Sequence, residues 1–334
     1  MTNKRIGYID AMRGFTMILV VYSHICTFCL GDSNMAFNDV FFLFRLPCFF
    51  FISGWLFKVT DSVWSIIKKK FMVQIVPTLF FLFLLAPPPA YFHQFGAFKG
   101  GYWFTFALFV YFMLYIGCYL LFRRYQGVKA DVILLLVALA ISMSAYWYDI
   151  NYSRLSSMQT WLKDILGFLS FVTWRYYLFF ILGTLARKYF PHFLKLTSNV
   201  KVVAVVVLAF FFISTIPQSD IFIREYFRFA IGGILGMTMV FAAFRFLYTY
   251  SRLSPLEYVG TRTLDIYLLH YFFLPRFLMA YSPLLHAYNS SIQFVVIMVI
   301  ALIVLLISLL TSYIICFSPF LGHYLFGAKG DTNK

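Results

Sequence analysis

Ten stretches of this chain are apolar for close to the length a helix needs to cross a bilayer, and little sequence is left between them. They run Gly7–Leu30, Val40–Phe57, Phe71–Phe92, Tyr102–Phe122, Val132–Trp147, Trp161–Ala186, Val202–Ile216, Tyr226–Tyr248, Leu264–Tyr281 and Ile292–Phe317. A spanning helix takes roughly 20 predominantly apolar residues. The runs lack the in–out alternation of an outer-membrane barrel, so helices rather than strands are expected. Of the 334 residues 62% are hydrophobic and only 12% charged, which no water-soluble domain of this size requires. The expected fold is all-α, a polytopic transmembrane bundle of about ten spans that fills residues 1–334 as one integral membrane domain.

The formal charge of +15 would suit a nucleic-acid binder, but its distribution speaks for membrane topology. Under a ten-span topology most lysines and arginines fall on one side, among them Lys4, Arg5, Lys68, Lys69, Lys70, Arg123, Arg124, Lys129, Arg187, Lys188 and Arg262. The positive-inside rule then places both termini in the cytoplasm, as short tails, and no nucleic-acid partner is expected. The first run is too long and too polar at its start for a cleavable signal peptide, and no small-residue cleavage site ends it. The five cysteines sit in or beside apolar runs and read as small packing residues. No close cluster of histidine and carboxylate suggests a metal site. Glu225, with Arg224 and Arg228, reads as a salt-bridge cluster at a helix end, and His93, His192, His286 and His323 as surface histidines.

The first run carries charge where lipid resists it. Asp10 precedes Arg13 by three residues, and His24 follows Arg13 by eleven. An Asp or Arg at the centre of a span costs at least ~2.5–3.5 kcal/mol on insertion scales, which makes such residues functional candidates. Eleven steps of about 100° bring Arg13 and His24 to one helix face, roughly 16 Å apart along the axis. Asp10 joins them in one polar stripe. Arg45 comes early in the second run, which descends from the other side, at a depth that makes it and His24 candidates for one cavity. Ser53 and Gly54 in that run suit close helix approach.

Together IDAMRGF and VVYSH (Ile9–Phe15, Val20–His24), RLPCFFFISGW (Arg45–Trp55), YWFTFALF (Tyr102–Phe109), RYYLFFILG (Arg175–Gly183) and YVGTRTLDIYLLH (Tyr258–His270) resemble acyltransferase family 3, a family of integral membrane acyltransferases. The Arg-x10-His spacing is its most specific element, and the likeness runs from the first span to the ninth. The resemblance implies an enzyme that moves an acyl group, usually acetyl, from cytosolic acyl-CoA to a carbohydrate hydroxyl at or beyond the outer face of the membrane. Arg13 and His24 match the family's essential pair. Some relatives carry a fused esterase-like domain after the last span; its absence here points to the stand-alone subgroup, which modifies lipid-linked sugars or surface polysaccharides.

The residue chemistry is compatible with that reaction. A hydroxyl attacking a thioester needs a base, and neutral imidazole is well matched to the task near neutral pH. His24 is the candidate, either as general base or as a transient acyl carrier. Arg45, Ser53 or Tyr22 could face the thioester oxygen. Arg13 could pair with Asp10, hold a CoA phosphate, or do each in turn. Lys68, Lys69, Lys70, Arg123, Arg124 and Arg262 are cytoplasmic cations that could hold the nucleotide phosphates, besides acting as topology signals. Tyr267 and His270 lie close enough around their helix to line one cavity, as substrate contacts or as an interhelical hydrogen bond. Arg175 opens its run as Arg45 opens RLPCFFFISG, and reads either as a second cation facing the acceptor or as a snorkelling residue. The expected setting is a cell membrane, bacterial and cytoplasmic, with acyl-CoA, a glycan or lipid-linked sugar and membrane lipid as partners. A homo-oligomer is left open. The rival reading is a polytopic transporter or flippase without covalent chemistry, in which the charged stripe is a pathway.

Overall fold

The computed structural model of the protein describes residues 6–59, 62–85, 99–122, 127–151 and 160–326, and among these there is no strand. The chain is a polytopic helical bundle. In order its helices are α1 (Gly7–Cys29), α2 (Asn38–Leu56), α3 (Val63–Lys70), α4 (Val76–Leu85), α5 (Trp103–Phe122), α6 (Val128–Asn151), α7 (Thr160–Phe168) and α8 (Tyr177–Lys188). There follow α9 (Phe190–Ser198), α10 (Val200–Thr215), α11 (Phe222–Tyr250), α12 (Ser254–Thr261), α13 (Thr263–Leu269), α14 (Ser282–His286), α15 (Ser290–Ile315) and α16 (Pro319–Phe326).

Six of the ten apolar runs form single helices long and apolar enough to cross a membrane, namely α1, α2, α5, α6, α11 and α15. The sixth and seventh runs belong to bent pairs: α7 meets the 3₁₀ turn Phe171–Tyr176 and α8 at 48°, and α9 meets α10 at 79°. Over their described residues the remaining two runs change winding. In the third, a π turn at Phe71–Ile75 joins α3 to α4. Pro77 follows it closely and has no N–H to return to the preceding turn, a break that wider winding can absorb. In the ninth, α13 gives way to 3₁₀ turns at His270–Phe272 and Arg276–Tyr281. Pro275 lies between them, and both it and the residue before it resist continuing the helix.

Caps follow from sequence. Gly31 adopts φ 74° just past α1, and the Asp32 N–H closes on the Cys26 carbonyl at 3.1 Å, an ending that uses glycine's access to positive φ. Asn199 and Asn289 cap α10 and α15 by accepting the backbone N–H of Lys201 and Ile292 at 3.0 Å each.

The described chain divides into two compact units. The first comprises residues 1–49, 194–216 and 229–319. Its spine is α1, packed against α12 backbone to backbone: a Cβ at Gly14 would overlap the carbonyl oxygen of Leu256, and one at Gly260 would overlap that of Asp10. Glycine on each helix faces main chain on the other, the small-residue device that lets membrane helices approach closely. Aromatic rings fill the flanks, with Tyr8 against Phe241, Phe15 against Phe244, and Tyr22 against Phe41 and Phe294.

The second unit comprises residues 50–193, 217–228 and 320–334. The same device recurs there: a Cβ at Gly54 would overlap the carbonyl of Phe180, and one at Gly183 that of Phe51. Phe50, Tyr111, Tyr176, Phe57, Phe112 and Phe180 form its aromatic core. Two of the unit's ion pairs are held by arginines. Arg228 holds Glu225 through two nitrogens, at 2.9 and 2.6 Å, with both side chains buried. Arg175 pairs with Asp149, while its carbonyl accepts from Ser142 Oγ at 2.6 Å and Ser142 in turn accepts from Tyr226 at 3.1 Å.

Because the α1–α12 contact has no room for a methyl group, Gly260→Ala must push main chain apart. It is expected to destabilise by about 1–3 kcal/mol, read as a lower thermal unfolding midpoint in detergent. Gly117→Ala in α5 is the control: a Cβ there meets nothing within 4 Å, and the exchange should be neutral or slightly stabilising.

Candidate active site

Since α1 is unbroken from Gly7 to Cys29, the polar stripe exists as the sequence spacing requires, with Arg13 and His24 on one face. The first unit supplies each with a partner from the YVGTRTLDIYLLH segment. The Arg13 guanidinium donates from Nη2 to Thr263 Oγ1 at 2.6 Å. His24 Nδ1 lies 2.7 Å from His270 Nε2. The glycine contact of α1 with α12 aligns the two elements, and the chain that continues into α13 then runs beside the stripe.

The geometry of the two imidazoles fixes their protons. Their planes are 10° apart and their centroids 5.0 Å apart. A nitrogen–nitrogen separation of 2.7 Å is too short for a face-to-face stack, so the rings meet edge to edge through a hydrogen bond. His270 Nδ1 lies 2.9 Å from the Ile266 carbonyl, which can only accept, so Nδ1 carries the proton. In a neutral imidazole the other nitrogen is then an acceptor. His270 Nε2 accepts, His24 Nδ1 donates, and His24 Nε2 carries the remaining lone pair. The Tyr271 hydroxyl approaches that nitrogen at 3.4 Å, and its ring lies 5.0 Å from that of His24 and 4.1 Å from that of His270. His270 is fully buried, whereas His24 keeps partial exposure.

Arg45 lies in the same unit, buried in the first half of α2. It donates to Asn38 Oδ1 at 2.9 Å and stands 5.5 Å from the centre of the Phe42 ring. Its charge is within electrostatic reach of both His24 and Cys26. Tyr22 is committed elsewhere, its hydroxyl donating to the Ala36 carbonyl at 2.6 Å. Arg262 precedes Thr263, so it and Arg13 flank the same point of the chain; it pairs with Asp265 at 3.2 Å, and Ser312 donates to the same carboxylate oxygen at 2.6 Å. Asp10 is partly exposed and places its carbonyl against Gly260. Tyr267 is buried, its ring 6.2 Å from that of His270.

The other candidates belong to the second unit. Ser53 sits in α2 beside the close-packed Gly54. Arg175 holds Asp149 and is flanked by the rings of Tyr146 and Tyr176. Lys68 and Lys69 are exposed at the end of α3, while Lys70 lies over the Phe112 ring at 4.2 Å. Arg123 and Arg124 lie outside the described residues. Among the described residues no three His, Cys, Asp or Glu side chains cluster closely enough to hold a metal ion.

Sequence reasoning did not single out Thr263, Tyr271 or Asn38. The first two adjoin Arg262 and His270, but nothing in their types signals a contact with α1. Asn38 stands seven residues before Arg45, two helical turns away, a spacing that could have found it.

With this geometry in place, the sequence pattern of the acyltransferase 3 family, described as an acyltransferase domain, matches residues 6–323. The chain belongs to acyltransferase family 3. Comparison with curated proteins returns no match, and comparison with solved structures returns none. The family is one of membrane acyltransferases, and the match covers every described residue of the first unit, including both histidines.

Another part of this acyltransferase imitates a hydrolytic triad. Ser282 Oγ lies 3.3 Å from His286 Nδ1, and His286 Nε2 lies 3.1 Å from Asp32. The protons rule out an activated serine: His286 Nδ1 lies 2.7 Å from the Ser282 carbonyl and must donate to it, while the Ser282 hydroxyl donates to the Leu30 carbonyl at 2.7 Å. His286 therefore has no lone pair to offer Ser282, and the group is a latch between the end of α1 and α14. The Ser282 carbonyl and Asp32 raise the His286 pKa. The Asn34 N–H and then His286 lower that of Asp32. A raised histidine pKa contributes stability that is lost as pH climbs above 6.5 through the folded value, and a lowered aspartate pKa contributes stability lost as pH falls below 3.8. The latch should be strongest between those values. The difference in thermal midpoint between wild type and His286→Gln is expected to peak in that window and to close in alkali.

Proposed function

We propose that this protein transfers an acyl group, acetyl in the first instance, from cytosolic acyl-CoA to a hydroxyl of a lipid-linked or surface carbohydrate, with His24 as general base. The observation that carries the reading is the unprotonated Nε2 of His24, faced by the Tyr271 hydroxyl at 3.4 Å, on a partly exposed side chain whose other nitrogen is already engaged by His270. The acceptor hydroxyl gives its proton to Nε2 as its oxygen attacks the thioester carbon. The carbon–sulfur bond then breaks, and the departing thiolate takes the proton from Nε2. Arg45 is a fixed positive charge near His24 that can face the negative charge gathering on the thioester oxygen.

Arg13 and Arg262 flank Thr263 at the start of the stripe, where two cations suit the phosphates of CoA. From there to His24 is roughly 16 Å along α1, a distance a long, thin pantetheine arm can cover. The positive-inside distribution favours an arginine end in the cytosol, with His24 toward the acceptor. The setting that fits is the cytoplasmic membrane of a bacterium. Membership in an acyltransferase family favours this reading over transport without covalent chemistry.

The test uses purified protein in nanodiscs, labelled acetyl-CoA and a glycan acceptor, scoring CoA release and label on the glycan. His24→Ala is expected to lower transfer by at least about 10²-fold while leaving the thermal midpoint near that of wild type. Full transfer by folded His24→Ala overturns the assignment. Arg13→Ala should weaken acetyl-CoA binding, and unchanged affinity would return Arg13 to a structural role beside Asp10 and Thr263.

A further inference from the structure

We infer that His270 is a positioning residue for this reaction: it locks His24 in the tautomer with Nε2 bare and holds the Nδ1 proton when Nε2 takes a second one. The inference rests on His24 as the base. Four observations support it. The two rings are nearly coplanar at an N–N distance of 2.7 Å, so the hydrogen bond lies in the plane of both imidazoles. His270 cannot reverse its own role, because its Nδ1 is bound to the Ile266 carbonyl, one turn back at the end of α13. Its side chain is fully buried and out of a substrate's reach. Tyr271, the next residue, lays its ring against both imidazoles and restrains their rotation.

The chain Ile266 C=O, His270, His24 thus does what a carboxylate does behind a catalytic histidine, choosing the tautomer and orienting the ring. It does so with a neutral group, which spares an apolar segment a further buried charge. On proton transfer from the acceptor hydroxyl, His24 becomes an imidazolium. Its Nδ1–H···Nε2 bond to His270 becomes charge-assisted and stronger, a gain made only after the proton moves. When the thiolate leaves and takes the Nε2 proton, the resting pattern returns with no net change in either ring.

Glutamine separates positioning from bulk, since its side-chain oxygen reaches where His270 Nε2 stands and can accept from His24 Nδ1. Transfer from labelled acetyl-CoA is measured for wild type, His24→Ala, His270→Ala and His270→Gln in nanodiscs, each checked for its thermal midpoint. His270→Ala is expected to lower kcat by about 10²–10⁴-fold with KM for acetyl-CoA little changed, as when a catalytic histidine is left in the wrong tautomer. His270→Gln should recover at least about ten-fold of that loss and move the acid limb of the kcat–pH profile, which a space-filling role would leave in place. The inference is overturned if folded His270→Ala keeps wild-type kcat while His24→Ala is inactive, or if folded His270→Gln is no better than His270→Ala. Activity in folded His24→Ala instead overturns the reading on which it rests.

Discussion

The contact of glycine with main chain between α1 and α12 is the constraint on which the first unit depends. Gly14 faces the Leu256 carbonyl and Gly260 faces that of Asp10, so the two backbones meet without side chains between them. Only at that separation can Arg13 reach Thr263 and, beyond the turn into α13, can His24 share a hydrogen bond of 2.7 Å with His270. The glycines of IDAMRGF and YVGTRT are therefore as much part of the site as the charged residues beside them. A methyl group in the wrong place would separate the histidines while touching neither.

Polar groups within apolar runs follow one rule across both units. Arg13 is answered by Thr263, His24 by His270, Arg45 by Asn38, Asp265 by Arg262 and Ser312, Arg175 by Asp149, and Arg228 by Glu225. Lipid cannot hydrogen-bond them, and each of these side chains finds a partner within the protein. His24 differs from the rest in that its partner accounts for one nitrogen and leaves the other basic. Arg175 and Arg228 are held by carboxylates, whereas His24 is held by a second histidine at one edge.

Much of this was legible in sequence because membrane helices are read by length and apolarity. The six runs that fold as single spans are unbroken at that scale, and the Arg13–His24 stripe needs only the helix period. The third and ninth runs are equally apolar, yet hydropathy is blind to a π turn and to a change of winding, and Pro77 and Pro275 gave only local warnings. Tyr267 and His270 were visible as neighbours on one helix, and an interhelical hydrogen bond was among the expected roles. That the partner would be His24 was not legible, because 246 residues separate the two histidines and only the folded unit brings them together. The charges in the second unit were ambiguous for the same reason: the pairing of Arg175 with Asp149 joins residues far apart in sequence and is visible only in the folded unit.

Family membership accounts for the class of reaction, and the physical account adds where the proton goes. Its central claim is that His24 rests with Nδ1 protonated and Nε2 bare. Nitrogen-15 NMR of histidine-labelled protein in nanodiscs, with His24 assigned by its loss in His24→Ala, tests this most directly. The account predicts a protonated Nδ1 coupled to His270 and an Nε2 signal of the unprotonated type near neutral pH. A proton on Nε2, with Nδ1 bare, would contradict it.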